Sequence, residues 1–257
     1  MVHVELQDLY KPRYAALWSL LSFKAGLLNT AGFLIVGSYV SHVTGFGTQI
    51  GLAIGHDDFK FGLELLVIPV SFISGGVITS LVLDRDYSKD KVPNYPIVQF
   101  LITSLIGAIS LLFVNGFFET SSLTGQNDKS IILMGMLCLV CGLKNGLTTW
   151  ASHAKIRTTH LTGPSTDIGL HLPKLFRKTN SNFRYPESRR VNFVRMATVT
   201  SFSLGSGLAA VLIPSIGHRI FAISFSISFL LLLVSVFHRQ YALARMSKTI
   251  EGGALAT

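Results

Sequence analysis

Long apolar blocks alternate with short polar stretches along the whole chain. The blocks cover about 14–40, 62–83, 97–117, 130–152, 191–213 and 219–237. Each meets or approaches the roughly 20 apolar residues that a helix needs to cross a bilayer. Between them lie His56 to Lys60, the charged stretch Asp84 to Pro96, the polar link Glu119 to Lys129, a long basic connector to Arg190, and a turn at Pro214 to His218. This pattern predicts an all-α, polytopic membrane protein with six transmembrane helices. The first block is too long for a signal-peptide core and lacks a small-residue cleavage site before polar sequence, so it is expected to stay as a span. Pro69 and the Gly75-Gly76 pair fall inside the second block, where neighbouring helices can satisfy or exploit an altered backbone.

The six blocks divide into two sets of three because one stretch is written twice. Ser41-His42-Val43-Thr44-Gly45-Phe46-Gly47-Thr48-Gln49-Ile50-Gly51-Leu52-Ala53-Ile54 is echoed by Thr159-His160-Leu161-Thr162-Gly163-Pro164-Ser165-Thr166-Asp167-Ile168-Gly169-Leu170-His171-Leu172, with seven of fourteen positions identical. Upstream, Gly26-Leu27-Leu28-Asn29 matches Gly142-Leu143-Lys144-Asn145. Downstream, Ser71-Phe72-Ile73-Ser74-Gly75 resembles Ser201-Phe202-Ser203-Leu204-Gly205. The expected organisation is an N-terminal tail (1–13), a first three-helix repeat (14–118), a link (119–129), a second repeat (130–237) and a C-terminal tail (238–257). Three spans per unit is odd, so the second unit enters the membrane from the other side. The two halves are then inverted repeats, as in many secondary transporters, with one motif copy facing outward and the other the cytoplasm.

Charge adds the orientation. Only 14% of residues are charged, against about 25% in a soluble domain. The formal net charge of +9 has no aromatic-interleaved basic run to suggest nucleic acid, and basic residues collect on cytoplasmic loops. With the N-terminus inside, sixteen Lys and Arg fall on the cytoplasmic side, eight of them in the 153–190 connector; Lys60, Lys129 and Arg219 fall outside. Both termini are thus expected in the cytoplasm, and the protein in the inner (plasma) membrane. Cys138 and Cys141 have CxxC spacing, but inside an apolar run without a second ligand pair they read as small apolar filler.

The candidate chemistry lies in the repeated stretches and in polar residues within spans. Gly45 and Gly163 can take positive φ and permit a sharp turn. Thr44 and Thr162 sit where a new helical run would be capped. Backbone N–H groups at such a start suit an anion or a carbonyl, and His42 and His160 titrate in the neutral range. The competing reading is a duplicated structural turn. Gly26, Asn29, Gly142 and Asn145 fall near the middle of their spans, where a carboxamide needs a partner; they either glue the first and fourth spans together or face a solute path. Lys24 lies about 15 Å into the first span at the helical rise, and a buried ammonium marks a functional site by default. Lys144 and Arg195 are nearer helix ends and are expected to snorkel to the surface, and Glu64 to sit at the interface. There is no Gly-x-Ser-x-Gly elbow, no His-Glu-x-x-His set and no phosphate loop, so neither an enzyme nor a cofactor or metal site is expected.

The pair GLLN…SHVTGFGTQIG and GLKNGLTTW…RTTHLTGPSTDIG resembles the YoaK-type family of bacterial six-span membrane proteins over roughly residues 15–237. The resemblance implies a six-span fold in the bacterial inner membrane and no particular substrate. Two departures stand out: the family often has an acidic residue where Asn29 stands, and an Asn where this chain has Phe46. The functional expectation is a small secondary transporter or permease for a polar or anionic solute. The alternative is a non-transporting membrane scaffold that uses the turns structurally and docks a partner through its basic 174–190 loop. Lipid, a small solute and a second copy of the chain are the partners these readings allow.

Overall fold

A computed structural model describes residues 9–87, 92–119, 127–176 and 186–254. Among them the chain forms nine α-helices and no strand: α1 (Pro12–Val36), α2 (Val43–Gly55), α3 (Phe59–Glu64), α4 (Val67–Tyr87), α5 (Tyr95–Val114), α6 (Asp128–Ala151), α7 (Thr162–Phe176), α8 (Pro186–Ile216) and α9 (Ile220–Ala254). Residues 177–185 of the basic connector lie outside the described residues, as does most of the link between the two sets of blocks.

Five helical segments are long and apolar enough to cross a membrane: Pro12–Val36, Phe59–Arg85, Tyr95–Val114, Asp128–Ala151 and Arg190–Ala244. The fifth has 55 residues, or about 80 Å at 1.5 Å per residue, well beyond a hydrocarbon core of about 30 Å. It comprises α8 and α9, joined by one turn of 3-10 helix, Gly217–Arg219. The turn falls within the expected stretch Pro214 to His218, at its later end. α8 carries Pro214 inside it and ends at Ile216, and the chain turns at Gly217 with φ 55°.

The surface confirms the membrane character. α4 exposes Val70, Ile73, Val77 and Leu81, a stripe at helical spacing that a soluble protein would bury. α9 does the same with Phe225, Phe229, Leu233 and Phe237. Apolar faces this long, left without protein cover, are surfaces for lipid.

Inside, the helices pair closely: α1 with α8, α4 with α6, α5 with α9. The first two pairings depend on glycine. A Cβ added at Gly26 would lie 2.0 Å from the Phe202 carbonyl oxygen, and one at Gly205 would lie 2.0 Å from that of Phe23. A Cβ at Gly142 would lie 2.1 Å from the Phe72 oxygen, and one at Gly75 would lie 2.7 Å from that of Leu139. Each pair therefore crosses backbone on backbone, which only glycine permits. The four glycines correspond under the sequence repeat, Gly26 to Gly142 and Gly75 to Gly205. α4 and α6 run parallel: Gly135 faces Val67 and Ser71, and Gly146, farther along, faces Thr79. The third pairing uses polar contacts, with Gln99 Nε2 and Thr103 Oγ1 both donating to the Ser228 carbonyl at 3.0 and 3.2 Å.

Candidate functional site

α1 ends where Gly37 takes a left-handed φ of 79°, its N–H donating to the Phe33 carbonyl. The chain then doubles back. Val40 packs against Gly32, and Ser41 reaches Asn29, whose Oδ1 accepts from the Ser41 hydroxyl at 2.8 Å and from its backbone N–H at 3.2 Å. α2 starts only there, with His42 preceding it. In the second half α6 ends at Ala151, and the chain turns through His153 and Ala154, at φ 49° and 60°. It too returns along its own helix, and the Thr159 hydroxyl donates to Asn145 Oδ1 at 2.5 Å. α7 begins at Thr162. The two motif copies therefore begin on chain that has already turned and folded back along its own helix.

Both histidines reach the helix crossings. His42 meets the Phe202 ring edge-on at 6.5 Å, and His160 meets Phe72 edge-on at 6.3 Å. These are the phenylalanines whose carbonyls lie against Gly26 and Gly142. Burial holds the His42 imidazole below its ordinary pKa. His160 is lowered by burial first, then by the Arg157 guanidinium and by His42. The two rings are thus within electrostatic range of each other, and both favour the neutral form at pH 7.

Several expectations need correction. Neither carboxamide bridges α1 to α6; each pins its own turn. Gly26 and Gly142 contact α8 and α4, not each other's helix. Gly45 and Gly163 lie inside α2 and α7 with open space where a Cβ would stand, and neither has positive φ. The sharp turns fall at Gly37 and at His153-Ala154, beyond the repeated motif. Thr44 is the second residue of α2 and caps nothing, since His42 holds that position without a side-chain cap. Thr162 is the first residue of α7, and its carbonyl accepts from the Thr166 hydroxyl at 3.0 Å.

Lys144 does not snorkel. It is 1% exposed, and its ammonium donates to the Leu21 carbonyl of α1. Lys24 is also 1% exposed, and Lys24, Cys141 and Lys144 lie within electrostatic range of one another at the approach of α1 to α6. Among the described residues no carboxylate pairs with either lysine. Arg195 does not snorkel either: it forms an ion pair with Asp167 of α7 at 2.8 Å. Glu64 lies 3.8 Å from Lys60 and lines a cavity. Cys138 and Cys141 are free and buried.

One orphan completes the site. Asn145 Nδ2 is buried and has no hydrogen-bond partner in the protein, like the hydroxyl of Thr158, which precedes Thr159. Sequence reasoning missed Ser41 and Thr159 as partners of the two asparagines, although both stand first in the repeated motif. It also missed Phe72 and Phe202, which the downstream repeat had aligned. No group of His, Cys, Asp and Glu among the described residues is arranged to hold a metal ion.

An all-helical chain with this apolar surface and these membrane-length helices is a multi-pass membrane protein. The model of the family described as "protein of unknown function (DUF1275)" matches residues 17–234. The chain belongs to that family, consistent with the resemblance drawn from its repeated motif. No curated protein and no solved structure matches it.

Proposed function

We propose that the protein is a small permease for a polar or anionic solute, built from two inverted three-helix units (14–118 and 130–237) with six spans, α8 and α9 counting as two. The observation that carries this reading is the pair of re-entrant turns. Each is pinned by an asparagine, and each leads into a short helix. Helices interrupted near the bilayer midplane, with their N-termini at a shared site, are how many transporters bind solute. At 13 and 15 residues, α2 and α7 are only about 20 Å long by the helical rise, too short to span.

Several buried polar groups of α1 and α6 are donors: the Lys24 and Lys144 amino groups and the free amide of Asn145. Buried charge without a counter-ion costs heavily, and an acceptor-rich solute would offset that cost. Both termini in the cytoplasm of an inner membrane, with the basic connector on the same side, fit this arrangement.

The test is uptake by the purified chain in liposomes, screened over small oxyanions and neutral polar solutes. Solute-dependent uptake is expected, and Lys24→Met and Asn145→Ala should each abolish it. Intact uptake in both variants removes the site; no uptake or binding of any solute removes the permease.

A further inference from the structure

A cavity of about 240 Å³ opens where α1 ends, lined by Ser38, Gln49, Glu64, Leu65, Ser130 and Met134 among others. Its volume lies below the roughly 300 Å³ at which sites for drug-sized ligands begin, so it suits a small solute. Its lining joins the re-entrant turn directly: Ser38 is three residues from Ser41, which Asn29 holds.

The repeat gives every part of this cavity a counterpart in the other half. Aligning the halves sets Gln49 against Asp167, Leu65 against Arg195, and Met134 against Trp18. At that second place the side chains are larger and charged. Asp167 and Arg195 join at 2.8 Å. The larger Trp18 stands where the first half has Met134; it is fully buried and its indole N–H donates to the carbonyl of Leu9, itself fully buried. The short helices themselves are seated alike, α7 on α8 and α2 on α3 and α4, the two helices to which α8 corresponds, so the difference lies in the side chains. Gln49 and Leu65 carry no charges with which to close their side.

We propose that the cavity beside Gln49 is the open mouth of the solute path, and that the Asp167–Arg195 ion pair latches the equivalent mouth shut. α2 and α7 then open in alternation, and the mouth takes a small polar solute through the Gln49 amide and the Ser38 and Ser130 hydroxyls. Glu64 is faced by Lys60 at 3.8 Å, which reduces its repulsion of an anion. This inference rests on the permease reading above.

Thiol labelling of the full-length protein in detergent tests it without any solute. The native cysteines are buried, so Gln49→Cys and Val194→Cys serve as reporters; Val194 corresponds to Glu64 and is 1% exposed. In the parent, Gln49→Cys should react fast and Val194→Cys slowly. Adding Asp167→Asn should raise the Val194→Cys rate about fivefold, the worth of a partly exposed ion pair, and lower that of Gln49→Cys. Arg195→Gln should do the same, and the charge swap Asp167→Arg with Arg195→Asp should restore protection. A Val194→Cys rate that does not move, or two reporters that rise together, overturns the latch. A chain that alternates but takes up no solute loses the permease and keeps the latch. One that takes up solute with Val194→Cys unmoved loses the latch alone.

Discussion

The Ser41 hydroxyl lies 2.8 Å from Asn29 Oδ1, although twelve residues separate them and a helix end intervenes. The same oxygen accepts the Ser41 backbone N–H, so one acceptor fixes both the depth and the direction of the returning chain. Removing it strands a buried hydroxyl and a buried amide, at about 1–3 kcal/mol each for an unsatisfied group. Asn29→Leu should lower the thermal midpoint by several degrees or more. Asn29→Asp keeps both acceptor contacts at the cost of a buried charge and should lose less than Asn29→Leu. Equal losses in the two variants would show that Oδ1 is not what holds the turn.

Glycine substitutions separate crossing from turning. A methyl group at Gly26 or Gly142 meets a backbone carbonyl at about 2 Å, and the neighbouring helix has no flexible side chain to give way. Gly26→Ala and Gly142→Ala should therefore each cost at least the roughly 1–3 kcal/mol of an overpacked core. At Gly45 and Gly163 a methyl group meets nothing, and inside a helix alanine is favoured over glycine by about 0.8–1 kcal/mol. Gly45→Ala and Gly163→Ala should raise stability slightly. Denaturation in a fixed detergent orders the four variants; a loss at Gly45 matching that at Gly26 would return the sharp turn to the motif.

The two histidines set a pH dependence whose sign follows from burial. Both imidazoles titrate below their ordinary value in the folded protein. The unfolded chain therefore binds protons first as pH falls, and stability declines from about pH 6.5 downward. Above that value both forms are neutral and the effect is absent. The double variant His42→Gln with His160→Gln should flatten the thermal midpoint between pH 7 and pH 5. A parent midpoint that rises on acidification in that window would contradict the burial.

What the sequence disclosed and what it withheld divide along physical lines. Apolar length placed most helix starts to within a few residues, because desolvation of the backbone governs them. The sixth block was drawn to 237 but its helix continues to Ala254, and the second block is divided between α3 and α4. The first span was drawn to residue 40 and ends at Val36, since Gly37 stops the helix. The doubled motif stands just after two related turns, which it placed a few residues too late and without their depth. Depth comes from Asn29 to Ser41 and Asn145 to Thr159, contacts between residues that hydropathy treats separately. Pairing of α1 with α8 was equally hidden, although Gly205 and Phe202 were already aligned with Gly75 and Phe72. Arg195 and Lys144 were misplaced for one reason: snorkelling is judged from distance to a helix end, whereas Asp167 and the Leu21 carbonyl supplied nearer partners.

Lys144 poses the sharpest trade between stability and use. Its ammonium is buried, bonded to the Leu21 carbonyl and within range of a second cation at Lys24. Replacing buried charge with an apolar group of similar shape is often neutral or stabilising by about 1–4 kcal/mol. The Leu21 carbonyl lies within α1 and keeps its helical acceptor role toward the next turn, so Lys144→Met leaves no stranded acceptor. That variant should melt at or above the parent temperature, while solute uptake by liposomes falls at least about tenfold, equivalent to about 1.4 kcal/mol in the solute step. Lys144→Arg keeps the charge but forces a wider, forked donor set into a site fitted to one ammonium, and should melt lower. A lower melting temperature in Lys144→Met together with unchanged uptake would make Lys144 a strut between α6 and α1 and remove it from the solute path.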